Sequence, residues 1–297
     1  MDVDFFAPGM RDVVDPDPPL VQVFGGLQFG EGPVWDKRSN SLYFVDIVGD
    51  TIWNWAPGVG ATAVIRPSGH ANGMTLDHEG RLLVAGWSAR KVWRREADGS
   101  LVTLASYYQG KKINTPNDLV VRSDGSIYFT DTAGGMFIPG MEGEDIQRYL
   151  DFQGVYRIPP GGGELELVIA DCVYPNGIVF SPDEKRLYVN DTRKAFVRVF
   201  DVRSDGSIGP GRMFYELQGD EFGHADGMKV DQAGNLYCTG PAGVHVIGPD
   251  GLLLGRLRIP GNCTNMAWGD DDWRSLYVTT VNTVYRTRVK IPGVPVR

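Results

Sequence analysis

The sequence predicts an all-β protein: a six-bladed β-propeller whose last blade is closed by an N-terminal strand. A short pattern occurs six times, consisting of a polar residue, usually followed by Gly, then an apolar strand, a polar turn and a second apolar strand. The copies recur at intervals of 39 to 59 residues, which is close to the length of a four-stranded propeller blade. No long stretch has the apolar period of a helix.

Each copy begins with a side chain that offers oxygen. The first reads EGPVWDKRSNSLYFVD from residue 31, and the fourth contains PNGIVFSPDEKRLYVND from residue 175. Val, Ile, Leu, Tyr and Phe fill the strands, and turn-forming pairs such as Asp124-Gly125 separate them. The six lead residues are Glu31, Asn72, Asn117, Asn176, Asp226 and Asn265.

The sixth copy has room for only three strands, near residues 266–269, 275–281 and 283–290. We expect residues 20–24 to supply the fourth strand, because this exchange would fasten the ring and cover two free strand edges. Residues 20–297 then form a single propeller domain. Residues 1–19 form an N-terminal tail outside it, and residues 1–10 should be dispensable for folding.

Composition and charge narrow the possible functions. The 297-residue chain is 42% hydrophobic and carries a net charge of −8 at pH 7, so no nucleic-acid or membrane partner is expected. The sequence has no apolar run of signal-peptide length at its start and no segment that could span a bilayer. Three scattered Cys residues without a CxxC motif are typical of unpaired thiols. We therefore expect a cytoplasmic protein.

The lead residues predict a binding site at the channel mouth. The first strand of each propeller blade lines the central channel, so residues just before these strands form a ring around its axis. Two members are carboxylates, Glu31 and Asp226, and four are carboxamides. Oxygen ligands suit a hard divalent cation, and two carboxylates balance its charge. Without a cation, one of two converging carboxylates would tend to take up a proton.

A local alternative exists for each lead residue taken singly. Asn and Asp often satisfy backbone groups of their own turns. That explanation does not account for an acid or an amide at the first position of every copy. We therefore favour a convergent site.

Four motifs contain lead residues: EGPVW at 31–35, PNDLVV at 116–121, YPNGIVFSPDEKRLYV at 174–189 and ADGMKVDQAGNLY at 225–237. In these motifs the chain resembles the SMP-30/gluconolactonase/regucalcin-like (LRE) family, and within it the bacterial gluconolactonase-like branch. The resemblance implies a six-bladed propeller that opens lactone rings and holds one divalent metal ion at the channel mouth. Calcium is the first expectation, with magnesium, manganese or zinc as alternatives.

The resemblance assigns roles to four lead residues. Glu31, Asn176 and Asp226 match the family's metal ligands, and Asn117 matches a fourth ligand or a substrate contact. Asp226 is also the candidate that takes a proton from the attacking water, so Asp226 and Asn117 are the predicted catalytic residues. Asn72 and Asn265 are not marked as firmly, and they are candidates for substrate contacts, supporting groups or local caps.

Three further residues near the ring are candidates for substrate binding. Thr115 occupies the position where regucalcin-type sugar lactonases carry an Arg, and the absent guanidinium argues against simple gluconolactone hydrolysis while leaving lactone chemistry open. His224, two residues before Asp226, is an alternative base. Asp131 ends a strand of blade three and is either a supporting group or a strand-end cap.

The longest interval between copies contains an insertion at residues 132–154. It is rich in Gly and in apolar residues, among which Phe137 and Phe152 are candidate substrate contacts. We expect a lid over the channel mouth, with a loop on the outer rim as the alternative.

Three functions remain open at this stage. A metal ion that polarises a carbonyl supports hydrolysis of a small lactone or ester-like substrate. The same ion could instead support cleavage of organophosphates, since P=O is polarised as C=O is, or of carbon–carbon bonds. The third possibility is a non-catalytic binding platform with a structural metal. The sequence does not indicate an oligomeric state.

Overall fold

The computed structural model describes residues 1–296 and confirms the six-bladed β-propeller. The chain begins with β1 (Val3–Phe5), the short helix α1 (Met10–Val13) and β2 (Leu20–Gly25). Blade one then consists of β3 (Gly30–Asp36), β4 (Ser41–Asp46), β5 (Thr51–Ala56) and β6 (Gly60–Ile65). Blade two consists of β7 (Met74–Leu76), β8 (Leu82–Gly86), β9 (Lys91–Arg95) and β10 (Leu101–Ala105).

A small hairpin and a long insertion flank the strands of blade three. The hairpin consists of β11 (Tyr107–Tyr108) and β12 (Lys111–Lys112). Blade three consists of β13 (Thr115–Val121), β14 (Ile127–Thr132), β15 (Gln153–Ile158) and β16 (Glu166–Cys172). The insertion between β14 and β15 contains one short 3-10 helix (Gly134–Met136).

The remaining blades follow the same antiparallel order. Blade four consists of β17 (Pro175–Phe180), β18 (Arg186–Asp191), β19 (Phe196–Val202) and β20 (Ile208–Glu216). Blade five consists of β21 (Met228–Val230), β22 (Leu236–Gly240), β23 (Gly243–Ile247) and β24 (Leu253–Leu257). Blade six takes three strands from the C-terminal region, β25 (Cys263–Gly269), β26 (Ser275–Thr280) and β27 (Thr283–Arg288).

The fourth strand of blade six is β2, so the predicted closure is confirmed. β2 pairs antiparallel with β27, from Leu20 opposite Thr287 to Gly25 opposite Thr283. Phe24 also packs against Phe44 of blade one, with ring centroids 5.2 Å apart. The first and last parts of the chain therefore meet in one sheet, and the ring cannot open without breaking that sheet.

Aromatic side chains hold neighbouring blades together in a repeated way. A buried Tyr on the second strand of one blade packs against an aromatic ring on the first strand of the next. Tyr237 meets Trp268 at 4.9 Å, and Tyr277 stacks on Trp35 at 5.3 Å. In these two Leu-Tyr pairs the Tyr ring is thus an inter-blade contact, which explains why a large aromatic residue is favoured there.

The N-terminal region differs from the expected tail. β1 adds a fifth strand to the outer edge of blade five by pairing with β24. Asp4 on β1 forms ion pairs with Arg256 and Arg258, both at 2.9 Å. Met10 and Val13 of α1 are buried in a cluster shared with blades five and six. Residues 1–19 therefore pack onto the propeller instead of lying outside it.

Two further features are the lining of the far end of the channel and the lengths of the helices. Val294 and Val296 line the channel at the end opposite the lead residues, together with Val121 and Val230. Residues 1–296 include no helix with the length and apolar content needed to cross a membrane.

Met10→Ala should lower the free energy of unfolding by about 2 to 5 kcal/mol, because the side chain fills a closed site between α1 and blade five. Thermal or denaturant unfolding measures the change, with Leu101→Ala as the control, since Leu101 is 51% exposed. Deletion of residues 1–14 should also destabilise the protein. Unchanged unfolding in both N-terminal variants would show that this region contributes nothing to the folded state.

Candidate metal centre and active site

The lead residues lie where the first strands depart from regular pairing. The register shifts between Glu31 and Val34 in β3, and between Pro175 and Ile178 in β17, where Asn176 lies. In β21, pairing begins only at Met228, after the lead residue. A bulge breaks the two-residue alternation of side chains and can re-aim one of them. This explains how a residue at the start of a channel-lining strand presents its side chain to the channel mouth.

In blades four to six, a side chain from the second strand of the same blade holds the backbone of the lead segment. Thr239 Oγ1 accepts a hydrogen bond from Asp226 N at 2.9 Å, and Asn190 Oδ1 accepts one from Gly177 N at 2.9 Å. Thr279 Oγ1 accepts one from Asn265 N at 3.1 Å. These bonds satisfy backbone donors that the bulge removes from the sheet, so the lead residues are held in defined positions.

The Gly that follows most lead residues allows neighbouring blades to touch. A Cβ at Gly73 would lie 2.6 Å from the carbonyl oxygen of Asn117 in the next blade, and one at Gly227 would lie 2.6 Å from Asn265 Cα. Gly73 N also donates to that Asn117 oxygen at 2.8 Å. Any larger residue would separate the blades where the lead residues converge.

Glu31 and its neighbours form the most buried part of the ring. Glu31 is 2% exposed, and its Oε2 accepts hydrogen bonds from Gly32 N at 2.8 Å and from Asn265 Nδ2 at 3.0 Å. Asn265 Oδ1 in turn accepts a bond from Met266 N at 2.8 Å. Asn265 thus supports Glu31 through its amide nitrogen and binds the backbone of its own strand through its amide oxygen.

Asn176 combines a fixed amide orientation with a buried oxygen atom that has no partner in the described chain. Its Nδ2 donates to Thr192 Oγ1 at 3.0 Å, which fixes the orientation of the amide. Its Oδ1 is buried and has no hydrogen-bond partner in the described chain. The side chains of Asn117 and Asn72 are buried and make no hydrogen bond within residues 1–296. Buried amide oxygens are rarely left unpaired, so these groups fit an oxygen-binding cation.

The charges of the ring point the same way. Burial raises the pKa of Glu31 to about 7. Burial, with the facing carboxylate of Glu31 as the second cause, raises the pKa of Asp226 well above its ordinary value. The charge of Lys229 opposes the rise at Glu31 without cancelling it, and a divalent cation would supply further positive charge to both carboxylates.

Asp118 is a third buried carboxylate in this region, and the sequence analysis missed it. It is 2% exposed, its Oδ2 has no hydrogen-bond partner in the described chain, and burial raises its pKa. The charge of Lys229 opposes that rise. The signal was present in the repeat, because Asp118 stands where four of the six copies have Gly.

The donor set determines which ions the site can hold. Nowhere in residues 1–296 do three His, Cys, Asp or Glu side chains come together as a metal cluster. The convergent ligands are two carboxylates, Glu31 and Asp226, completed by amide oxygens. This mixture fits calcium, magnesium or manganese better than zinc, which prefers nitrogen and sulfur ligands.

Three predicted substrate contacts are engaged inside the protein. Thr115 is fully buried, where its hydroxyl donates to the carbonyl of Thr132 and accepts from Gly135 N. Asp131 is also fully buried and accepts two hydrogen bonds from Asn114, at 2.9 and 3.0 Å. Phe152 packs in the core of blade three, edge-on to Tyr108. Each of these side chains therefore has contacts inside the protein, although Asp131 Oδ1 has no hydrogen-bond partner in the described chain.

The other two candidates are accessible from solvent. Phe137 is 63% exposed. His224 is exposed and lies edge-on to Phe222, with ring centroids 5.3 Å apart. Neither side chain has a hydrogen-bonding role in the described chain, so both are free to meet a ligand.

The insertion at 132–154 is anchored through a buried arginine of blade two. Arg90 donates to the carbonyl oxygens of Asp145 at 3.1 Å and Gln147 at 2.8 Å, and its guanidinium lies 5.2 Å from the centre of the Tyr149 ring. Lys112 adds an ion pair to Asp145 at 2.9 Å. These contacts hold the insertion against blades two and three.

Tyr174 was also missed, although it lies only two residues before Asn176. A Cβ on Gly134 would collide with its hydroxyl, so the ring reaches the base of the insertion. Burial raises the pKa of Tyr174, and the charge of Asp226 raises it further. Tyr174 therefore lies between the insertion and the carboxylates of the ring.

The fold and this ring define a six-bladed propeller with an oxygen-lined site at one end of its channel. Residues 29–282 match the SMP-30/gluconolactonase/LRE-like region, and the chain belongs to that family. It is 30% identical to the gluconolactonase of Zymomonas mobilis, over 97% of this chain and 86% of that protein.

Solved structures agree with this assignment. The gluconolactonase of Xanthomonas campestris has a TM-score of 0.89 and 30% identity, with 97% of this chain and 95% of that chain covered. A regucalcin of Agrobacterium tumefaciens, described as calcium-binding, has a TM-score of 0.75 and 20% identity, with 92% and 95% covered. The latter likeness is one of fold.

Gly227→Ala should lower the free energy of unfolding by roughly 1 to 3 kcal/mol, because its Cβ would overlap Asn265 and push blades five and six apart. Gly209→Ala is the matched control, since the nearest atom to its Cβ would be an ordinary 3.4 Å away. Denaturant unfolding of both variants measures the difference. Equal stability of the two would show that close blade contact is not required.

Asp131 should make stability depend on pH. Burial raises its pKa from an ordinary 3.8 to about 7, so the stability that depends on its neutral form is lost as pH rises toward and through about 7. Asp131→Asn cannot ionise, so its unfolding temperature relative to the unmodified protein should be more favourable at pH 8 than at pH 5.

Asp191→Asn is the control for this experiment. Asp191 ends the equivalent strand of blade four and accepts backbone hydrogen bonds from Val173 at 2.7 Å and Tyr174 at 3.0 Å. Its loss should lower the unfolding temperature at both pH values. A pH-independent difference for Asp131→Asn would refute the assigned titration.

Proposed function

We propose that this protein is a metal-dependent hydrolase that opens the ring of a small lactone at the mouth of the propeller channel. The observation that carries the proposal is the convergence of Glu31, Asn176 and Asp226 from three blades, with a buried amide oxygen of Asn176 that lacks a partner. The lactonase names of the relatives favour a lactone over an organophosphate among the substrates that such a site could polarise.

The three converging residues would hold the ion, with Asn117 as a fourth ligand or as a contact to the substrate. When bound, a divalent ion supplies a Lewis acid for the lactone carbonyl. Calcium is the first ion to test, because all of the donors are oxygen atoms and the site mixes carboxylates with amides.

Asp226 is the best placed residue to take a proton from the attacking water. It retains partial exposure, whereas Glu31 and Asn176 are buried, so water can reach it from the channel mouth. Its backbone is fixed by Thr239, and its side chain faces both Glu31 and the Asn176 amide. A carboxylate held in this way meets the positional requirement of a general base.

The insertion at 132–154 would form one wall of the substrate site. Arg90 binds two of its carbonyl groups, so we infer a fixed wall in place of a lid that swings open. Phe137 on this wall and His224 on the loop before Asp226 are the accessible side chains that a substrate would meet.

Removal of divalent ions should abolish lactone opening, and calcium should restore it. Asp226→Asn keeps the volume and one oxygen but removes the negative charge and the basic oxygen. It should weaken metal binding and lower kcat by about 100-fold or more even at saturating metal. Acid release from a panel of lactones, aryl esters and phosphotriesters measures activity, and calcium binding is followed in parallel.

Asp201→Asn provides the matched control, because Asp201 is exposed and pairs only with surface Arg212. Its activity and metal affinity should be unchanged. Full activity of Asp226→Asn at saturating metal would exclude Asp226 as the base and favour His224. Activity that survives complete chelation would rule out the metal-dependent mechanism.

A further inference from the structure

Arg193 is an exposed arginine without a partner beside the candidate active site. It lies in the turn between β18 and β19, where its backbone N–H is bound by Asp191 Oδ1 at 3.2 Å. Its guanidinium lies 5.7 Å from the centre of the Tyr174 ring. It forms no ion pair or side-chain hydrogen bond with any residue from 1 to 296, whereas nearby Arg198 is paired with Asp171 at 2.8 Å.

The turn that carries Arg193 is hydrogen-bonded to one predicted metal ligand and to the residue before another. Thr192 Oγ1 accepts the hydrogen bond from Asn176 Nδ2 at 3.0 Å. The same hydroxyl donates to the carbonyl of Ala225, the residue before Asp226, at 2.7 Å. One threonine therefore fixes the backbone next to Arg193 relative to both blades that supply these ligands.

Tyr174 extends this connection to the opposite wall. Its hydroxyl lies against Gly134 at the base of the insertion, and the neighbouring Gly135 lies against Trp87. The Tyr174 ring thus lies between the carboxylates and the insertion, and the Arg193 guanidinium lies 5.7 Å from its centre. An aromatic ring orients a guanidinium and lowers the entropy that the side chain loses on binding a ligand.

We propose that Arg193 is a substrate-recognition residue whose guanidinium donates hydrogen bonds to hydroxyl oxygens of a sugar-type lactone, on the side of the ring away from the ester. This inference rests on the proposed lactone hydrolysis and names its substrate class. A planar group with several N–H donors suits neighbouring hydroxyls. Arg193 would thereby provide, from blade four, the guanidinium that blade three lacks at Thr115.

The test compares two lactones that share a six-membered ring, glucono-1,5-lactone and δ-valerolactone, which has no hydroxyl groups. Arg193→Met should lower kcat/KM for gluconolactone roughly 10- to 100-fold, the range for lost hydrogen bonds to a charged group. Activity on δ-valerolactone should change less than about twofold. Arg193→Lys should recover only part of the loss, since an ammonium cannot reproduce the planar donor arrangement.

Lys194→Met is the matched control, because Lys194 is the adjacent exposed cation and has no side-chain partner among the described residues. It should leave both activities unchanged. An equal loss on gluconolactone in Lys194→Met would assign the effect to surface charge and overturn the proposal. An equal loss on both lactones in Arg193→Met would assign Arg193 a general structural role and also overturn it.

A binding measurement separates failure of this inference from failure of the proposed function. Calorimetry with calcium-loaded protein measures the affinity for gluconate, the acid formed from gluconolactone. If the unmodified protein opens neither lactone, the proposed function fails, yet tighter gluconate binding by it than by Arg193→Met still supports recognition by Arg193. Equal binding, or no binding by the unmodified protein, counts against Arg193.

Discussion

The close approach of blades at the channel mouth is the constraint on which the site depends. At Gly73 and Gly227 there is no room for a Cβ between one blade and the next. Cross-blade hydrogen bonds add to this contact, as when Asn190 and Thr192 of blade four bind the carbonyls of Asp226 and Ala225. Residues far apart in the chain are thereby brought together at the channel mouth.

The same constraint explains the electrostatics of the ring. Burial is the first cause of the raised pKa values of Glu31, Asp226 and Asp118. Placing these carboxylates near the channel mouth therefore costs folding free energy. The positive charge of Lys229 opposes the rise at Glu31 and at Asp118. Because burying these carboxylates costs free energy, a bound cation would stabilise them strongly, as expected of a functional site.

The rim of the mouth is built differently from the ring. Five of the six ring residues are buried and Asp226 is partly exposed, and they lie at the starts of the first strands, whereas the rim is formed by loops that vary in length between blades. The insertion at 132–154 and the turn that carries Arg193 are such loops, and Tyr174 lies against both, at Gly134 of the insertion and beside the Arg193 guanidinium. This division of a fixed centre and a variable rim is consistent with a family whose members act on different lactones.

The sequence by itself determined the repeat, the closing strand and the ring, because blade number and lead residues follow from a short pattern that recurs in register. Asp118 could have been found from the same pattern, as the exception at a Gly position. The roles of Asp131, Thr115 and Phe152 were decided only by tertiary structure. Their side chains are used by neighbours that are distant in sequence, such as Gly135 for Thr115.

The N-terminal residues and Arg193 show the same limit. The sequence of residues 1–19 does not predict that β1 pairs with β24, some 250 residues later. Pairing over such a distance depends on which strand edge of the folded propeller is unpaired. Arg193 looks like any surface arginine until the fold places it beside Tyr174, where it forms no ion pair with any residue from 1 to 296. The repeats can be recognised in the sequence, but the contacts between blades form only when the chain folds into a closed ring.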